Sequence, residues 1–128
     1  ELHIDIHSGD GAELLEPFAG IYGGKLAASQ YPRSREMGLA FGLRNVITYP
    51  MDTQDQVDRG RSCNRQAVAQ GLPTVLIEIG ENGRTDESFV APLLDGLLNL
   101  LRTLKMLPGP PRPLRRDTRF FHNTTSVS

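Results

Sequence analysis

Two side chains stand where their chemistry is out of keeping with their neighbours. His7 ends the alternating segment Leu2-His3-Ile4-Asp5-Ile6-His7, just before the small turn Ser8-Gly9-Asp10-Gly11. A histidine at the carboxyl end of a strand is well placed to bind a ligand or a metal, because open α/β sheets take ligands at that end. Glu78 lies in the apolar run Thr74-Val75-Leu76-Ile77-Glu78-Ile79. An ionised carboxylate among such neighbours needs a cation, a metal or the mouth of the sheet, and general acids and bases occupy such places. His3 and Asp5 share the face of His7. His3 is about 13 Å away along a strand, too far to bind one metal ion with it, whereas Asp5 is near enough to orient it. The residue types alone equally fit a polar strand end and a glutamate paired with an arginine such as Arg84.

Several other signals fail on inspection. Gly9-Asp10-Gly11 follows a strand, but Leu14 stands where a dinucleotide fingerprint needs glycine, and Gly24-Lys25 runs into Leu26 instead of the Ser or Thr of a phosphate loop. No Gly-x-Ser-x-Gly elbow is present. Asn123-Thr124-Thr125 matches a glycosylation acceptor, which a cytoplasmic chain does not use.

The elements that must position these residues follow from periodicity. Alternation makes 2–7 a strand, with Leu2, Ile4 and Ile6 on one face. The Gly-rich stretch to Gly24 reads as irregular. A short helix is expected from Ser34, as cap, to Phe41, packing through Met37, Leu39, Ala40 and Phe41. A strand follows over Asn45–Tyr49, closed by Pro50. Met51 to Gly60 is polar and reads as a surface loop. Ser62 caps a helix over Cys63–Gln70 ending at Gly71, and Thr74–Ile79 is a central buried strand. Apolar residues from Phe89 to Leu104 recur at three- and four-residue steps, the mark of a long helix capped by Thr85 or Asp86, with Pro92 tolerable in its first turn. The Pro-rich run 108–113 is an extended connector. The alternation of strands and helices predicts an α/β fold with a mostly parallel or mixed sheet flanked by helices.

With 128 residues, 38% apolar content and a net charge of −1, the chain has room for one core. The charge balance argues against nucleic acid, and no basic amphipathic stretch suggests a membrane surface, so a small-molecule substrate is expected. A single cysteine, Cys63, fits a reducing compartment, with cytoplasm the default. Charged and proline residues interrupt the apolar stretch Phe89–Leu107, which excludes a membrane span. The sequence leaves a homo-oligomer open.

Three segments, Asp5-Ile6-His7-Ser8-Gly9, Arg61-Ser62-Cys63-Asn64-Arg65-Gln66-Ala67-Val68 and Gly71-Leu72-Pro73-Thr74-Val75-Leu76-Ile77-Glu78-Ile79-Gly80, precede a leucine-rich helix in that order. Together they resemble the catalytic core of the succinylglutamate desuccinylase/aspartoacylase family, the Asp-x-His strand end paired with a later Glu-x-Gly strand being the strongest part. The resemblance implies a zinc carboxypeptidase-like fold and hydrolysis of N-acylated amino acids, with some members resembling deacetylases of N-acetyl-diaminobutyrate. It implies that His7 is a zinc ligand, Glu78 the general base, and Arg65, with Arg61 as substitute, the grip on a substrate carboxylate. Asp5 is expected to support His7. The family takes its other two zinc ligands from an upstream His-x-x-Glu; here His3, His7 and His122 are the histidines, and none has Glu three residues on. The implied division is a partial catalytic domain over 1–107, incomplete as a fold, and a connector over 108–128 leading to a further β-rich domain. A metallocarboxypeptidase and a non-catalytic α/β binding module are the rival readings.

Overall fold

The computed structural model describes residues 1–124. Five strands, β1 (His3–His7), β2 (Phe18–Gly23), β3 (Asn45–Pro50), β4 (Thr74–Glu78) and β5 (Arg119–His122), form one sheet in the order β1-β4-β2-β3-β5. The pairs β1/β4, β2/β3 and β3/β5 are parallel, and β2/β4 is antiparallel. The sheet is therefore mixed, as the alternation of elements implied. Its β1/β4 half runs opposite to its β2/β3/β5 half, so the carboxyl ends of the two halves lie at opposite rims.

Strand alternation sorts the side chains into two faces. Ile4, Ala19, Ile21, Val46, Val75 and Ile77 belong to the main core, which helices α1 (Tyr31–Phe41) and α4 (Glu87–Thr103) complete with Met37, Ala40, Phe41 and Leu100. Ile6, expected with this apolar set, remains 43% exposed at the outer edge of β1. The opposite face is polar near β1 and β4. Further along it a smaller core joins Tyr22, Met51, Val57 and Val68 under helices α2 (Gln54–Gly60) and α3 (Cys63–Ala69).

Three elements depart from the reading of the sequence. The stretch taken as irregular before Gly24 contains β2, a central strand with Ala19 and Ile21 fully buried. Its glycines concealed it, since glycine is a poor strand former. Gly20 nevertheless suits the place: a Cβ on it would come tightly against Tyr49 Cε2 at 3.0 Å and Leu76 Cβ at 3.2 Å.

The polar run after Met51 is not a loop throughout but carries α2. The Thr53 hydroxyl accepts from the Gln56 amide at 3.3 Å while Gln56 Oε1 accepts from the Thr53 amide at 3.1 Å, a reciprocal capping box. Arg59–Asp55 and Gln54–Asp58 contacts at four-residue spacing support a helix that buries little beyond Val57.

Helix α1 begins at Tyr31, with Pro32 in the first turn, so Ser34 is not its cap. Ser34 is buried inside the helix, and its hydroxyl accepts from the Thr74 amide at 2.9 Å, tying α1 to the start of β4. The cap of α3 is as expected, Ser62 Oγ accepting from the Arg65 amide at 3.2 Å. Asp86 stands at the head of α4 without a side-chain cap bond, and Pro92 lies within that helix, beyond its first turn.

Asn99 of α4 links the later chain to the core. Its amide donates to the Ala40 carbonyl at 2.5 Å and its carbonyl oxygen accepts from the Arg112 amide at 2.7 Å, fixing the Pro-rich connector across α4. From there the chain reaches β5, which pairs with β3 in the same sheet and leaves Phe120 and Phe121 about half exposed. Residues 125–128, including Thr125 of the glycosylation pattern and the end of the segment expected to lead to a further domain, lie outside the described residues. Among the described residues, no helix is long and apolar enough to cross a membrane.

Helices α1 and α4 pack closely at Gly96, where an added Cβ would meet Phe41 Cε1 at 2.5 Å and Cδ1 at 2.7 Å. Both residues are buried, so neither ring nor helix has room to yield. Gly96→Ala is expected to lower unfolding stability by about 1–3 kcal/mol, the usual range for overpacking, in spite of alanine's higher helix propensity. Urea denaturation monitored by circular dichroism measures it; an unchanged or higher midpoint would refute this account of the α1/α4 contact.

Candidate functional site

The parallel register of β1 and β4 sets His7 directly beside Glu78, and the antiparallel register of β2 sets Phe18 on the other side of Glu78. The Ile79 amide donates to the His7 carbonyl at 3.1 Å and the Gly9 amide to the Gly80 carbonyl at 3.0 Å, so the pairing continues past both strand ends. Gly80 takes φ 111°, a conformation that glycine reaches without strain. His7 and Glu78 thus share the polar face at the carboxyl rim of β1 and β4, on a backbone held from both sides.

His7 Nε2 lies 3.0 Å from Asp5 Oδ2. A carboxylate oxygen only accepts, so Nε2 carries a proton, and in the neutral ring Nδ1 keeps its lone pair for another partner. The same Asp5 oxygen accepts from Asn64 Nδ2 at 2.9 Å, and Asn64 Oδ1 lies 3.0 Å from His3 Nε2. His3 therefore takes no direct part at the strand end, as its distance along β1 required, and is joined to it through α3.

Burial raises the Glu78 carboxyl above the ordinary glutamate range; the neighbouring His7 opposes this, and Glu13, Asp5 and Asp10 reinforce it. The last two acidic neighbours in sequence are brought close by the turn after β1, where the Asp10 amide donates to Glu13 Oε2 at 3.2 Å and the Asn82 amide to the Glu13 carbonyl at 3.1 Å. A carboxylate raised in this way is a stronger base than an ordinary one. Arg84 does not neutralise it: that side chain pairs with Asp86 and Glu81.

Arg65 is 5% exposed. Its Nη1 donates to the Pro50 carbonyl at 2.9 Å and contacts Met51 Sδ at 3.1 Å, and its guanidinium carbon lies 5.6 Å from the centre of the Tyr22 ring. Tyr22 in turn stacks on Tyr49 with ring centres 5.5 Å apart. Burial pushes the Tyr22 hydroxyl up to about 12 against the pull of Arg65, and raises Tyr49 as well, with Glu78 adding to it. Arg61 ends α2 in the left-handed region at φ 39°, with its residue exposed.

Reading the sequence singled out His7, Asp5 and Glu78, which the fold brings together. It did not single out Asn64, Tyr22 or Tyr49. Asn64 comes two positions after the Ser62 cap, and nothing in local spacing says that it meets a strand 59 residues earlier. Among the described residues, no group of three or more His, Cys, Asp or Glu is arranged to hold a metal ion. A separate cavity of about 510 Å³, lined by Tyr31, Thr48, Asp52 and His122, opens near the carboxyl ends of β2 and β3 and does not include His7 or Glu78.

No protein-family profile matches the chain, and no curated protein does. Solved structures do. The product-bound structure of the Ectoine utilization protein EutE (DoeB) from Ruegeria pomeroyi superposes with a TM-score of 0.75 at 20% identity, over 93% of this chain and 34% of that one. The apo structure of the same protein gives 0.77 at 20% identity, over 95% and 36%. A succinylglutamatedesuccinylase/aspartoacylase from Rhodobacter sphaeroides gives 0.66 at 18% identity, over 94% and 34%. The fold is the one expected from the sequence, and the chain spans about a third of the length of these proteins.

A carboxyl raised in the folded state binds its proton more tightly there than in the unfolded chain, so its contribution to stability is full below the ordinary glutamate pKa and is lost as pH rises through the folded value. Glu78→Gln is therefore expected to gain stability relative to the parent at pH 7 and to lose that gain near pH 4. Chemical denaturation at the two pH values tests the sign, and a larger gain at pH 4 would contradict it.

Proposed function

We propose that this chain is the central part of a zinc-dependent amidohydrolase that removes the acyl group from N-acylated amino acids. The observation that carries the reading is the pairing of His7, its Nδ1 left open by the bond to Asp5, with a raised Glu78 on the adjacent strand. The fold shared with the ectoine utilization protein and with succinylglutamatedesuccinylase/aspartoacylase supports it.

A catalytic zinc site uses three protein ligands and an open position. His7 Nδ1 fits one of them; two further ligands have to come from outside the described residues, as the family resemblance implies. Zinc, when bound, lowers the pKa of water and polarises the substrate carbonyl. Asp5 keeps the His7 ring in one tautomer. Glu78 takes the proton of the attacking water and delivers it to the departing amine, a role that suits a carboxylate of raised pKa on a partly desolvated strand end.

Arg65 and Arg61 are the proposed grips for a substrate carboxylate. Arg65 has to release the Pro50 carbonyl to serve, whereas Arg61 already faces solvent. The substrate is a small acylated amino acid, and neither nucleic acid nor a membrane is a partner.

In a protein that completes the site around this chain, Glu78→Gln is expected to reduce kcat by about 10²–10⁴-fold with zinc content unchanged. Undiminished hydrolysis of acylated amino acids by that variant would sink the reading. Arg65→Ala is expected to raise KM and lower the melting temperature together, because it empties a buried position, while Arg61→Ala acts on KM alone. Equal melting losses in the two variants would show that their placement does not separate grip from packing.

A further inference from the structure

The polar face holds a buried residue, Asn64, to which no role has been given. Asn64 is 4% exposed, near the amino end of α3, and its side-chain amide is used on both sides. Nδ2 donates to Asp5 Oδ2 at 2.9 Å, and Oδ1 faces His3 Nε2 at 3.0 Å. Its orientation follows from these two partners: Asp5 offers only an acceptor, so the amide nitrogen must face it, and His3 Nε2 must then be the donor to the amide oxygen. Asp5 Oδ2 consequently receives two donors, Asn64 Nδ2 and His7 Nε2.

We infer that Asn64 is a positioning residue, which fixes the Asp5 carboxylate from α3 so that His7 is held in the Nε2–H tautomer with Nδ1 presented at the strand end. The inference rests on the reading of His7 as a ligand only for its purpose, since the arrangement itself is a property of the chain. A carboxylate on a strand can turn about its side-chain bonds, and with the His7 side chain 53% exposed, water competes for the ring nitrogens. The second donor, from a buried group on a capped helix, takes away that freedom. The cap matters for the same reason: Ser62 Oγ holds the Arg65 amide and so sets the first turn on which Asn64 sits. His3 completes the chain of bonds by fixing the far side of the Asn64 amide.

The test is nitrogen-15 NMR of the histidine rings in the 128-residue chain without metal, at a pH where the ring shifts themselves show neutral imidazole. The parent chain is expected to hold His7 in the Nε2–H form by about tenfold or more, the ratio that 1.4 kcal/mol sustains. Asn64→Ala, and Asn64→Asp, which keeps the shape but sets a second carboxylate against Asp5, are expected to lower that ratio several-fold.

Ser34→Ala serves as control, since it removes the acceptor of the Thr74 amide on the other side of the sheet and is expected to lower stability with the His7 tautomer ratio unchanged. A parent chain with Nδ1–H dominant overturns the inference outright. So does an unchanged His7 ratio in either folded Asn64 variant, or a Ser34→Ala variant that shifts His7 as much as they do. Because no metal and no turnover enter the measurement, failure of the hydrolase reading leaves this result intact, and failure here leaves that reading to its own test.

Discussion

In the parallel pairing of β1 with β4, two edges of backbone separated by 71 positions in the chain meet in a register that puts His7 beside Glu78. Every feature of the polar rim depends on that register. A slip of one residue along either strand would turn the side chains of that strand to the other face, burying a histidine or a glutamate among the core residues and exposing Ile77 or Ile4. The hydrophobic contrast between the faces therefore specifies the site as well as the core. The His3 amide on the Pro73 carbonyl and the Ile79 and Gly9 amides beyond the strand ends secure the same alignment at its two limits.

The two faces of the sheet are built to different ends. On one, α1 and α4 close an apolar core so tightly that Gly96 has no room for a methyl group beside Phe41. On the other, α3 meets the sheet through polar groups, with Asn64 against Asp5 and Arg65 against Tyr22. Among the described residues, no buried side-chain nitrogen or oxygen lacks a hydrogen-bond partner, so this polar layer is fully satisfied. Such a layer limits rotamer freedom more strictly than an apolar one, because each group must meet a donor or an acceptor in the right direction. That is the physical basis for a histidine ring held in a single orientation on an otherwise open rim.

The proteins that share the fold are about three times as long as this chain and only 18–20% identical to it. At that distance the backbone plan is common property, while chemistry lives in particular side chains. What this chain contributes is one imidazole with an available nitrogen, one carboxylate raised chiefly by burial, and the strands that hold them side by side. Among the described residues, no further His, Cys, Asp or Glu joins them in a group able to hold a metal ion.

Much of the fold was legible because hydrophobic period is a local property. The alternation of 2–7, the apolar run at 74–79, the three- and four-residue steps after Phe89 and the Ser62 cap all appear as elements close to where they were expected. Strand β2 was not legible, because its glycines answer to side chains from elsewhere, Gly20 to the Tyr49 ring and Gly23 to Thr48 and Tyr31, a need that no local propensity encodes. Helix α2 was hidden for a different reason: its stability comes from a capping box and surface pairs, with little buried apolar surface to give a period. The sequence by itself determined that His7 ends an alternating strand, that Glu78 lies in an apolar one and that Asp5 shares the face of His7. Only the tertiary structure decided that the two strands are neighbours in matching register, that Asp10 and Glu13 fold back toward Glu78, and that Asn64 reaches Asp5. The physical reason is that side-chain alternation fixes the face of a residue within its own strand, whereas its partners across strands and helices are fixed by how the faces pack.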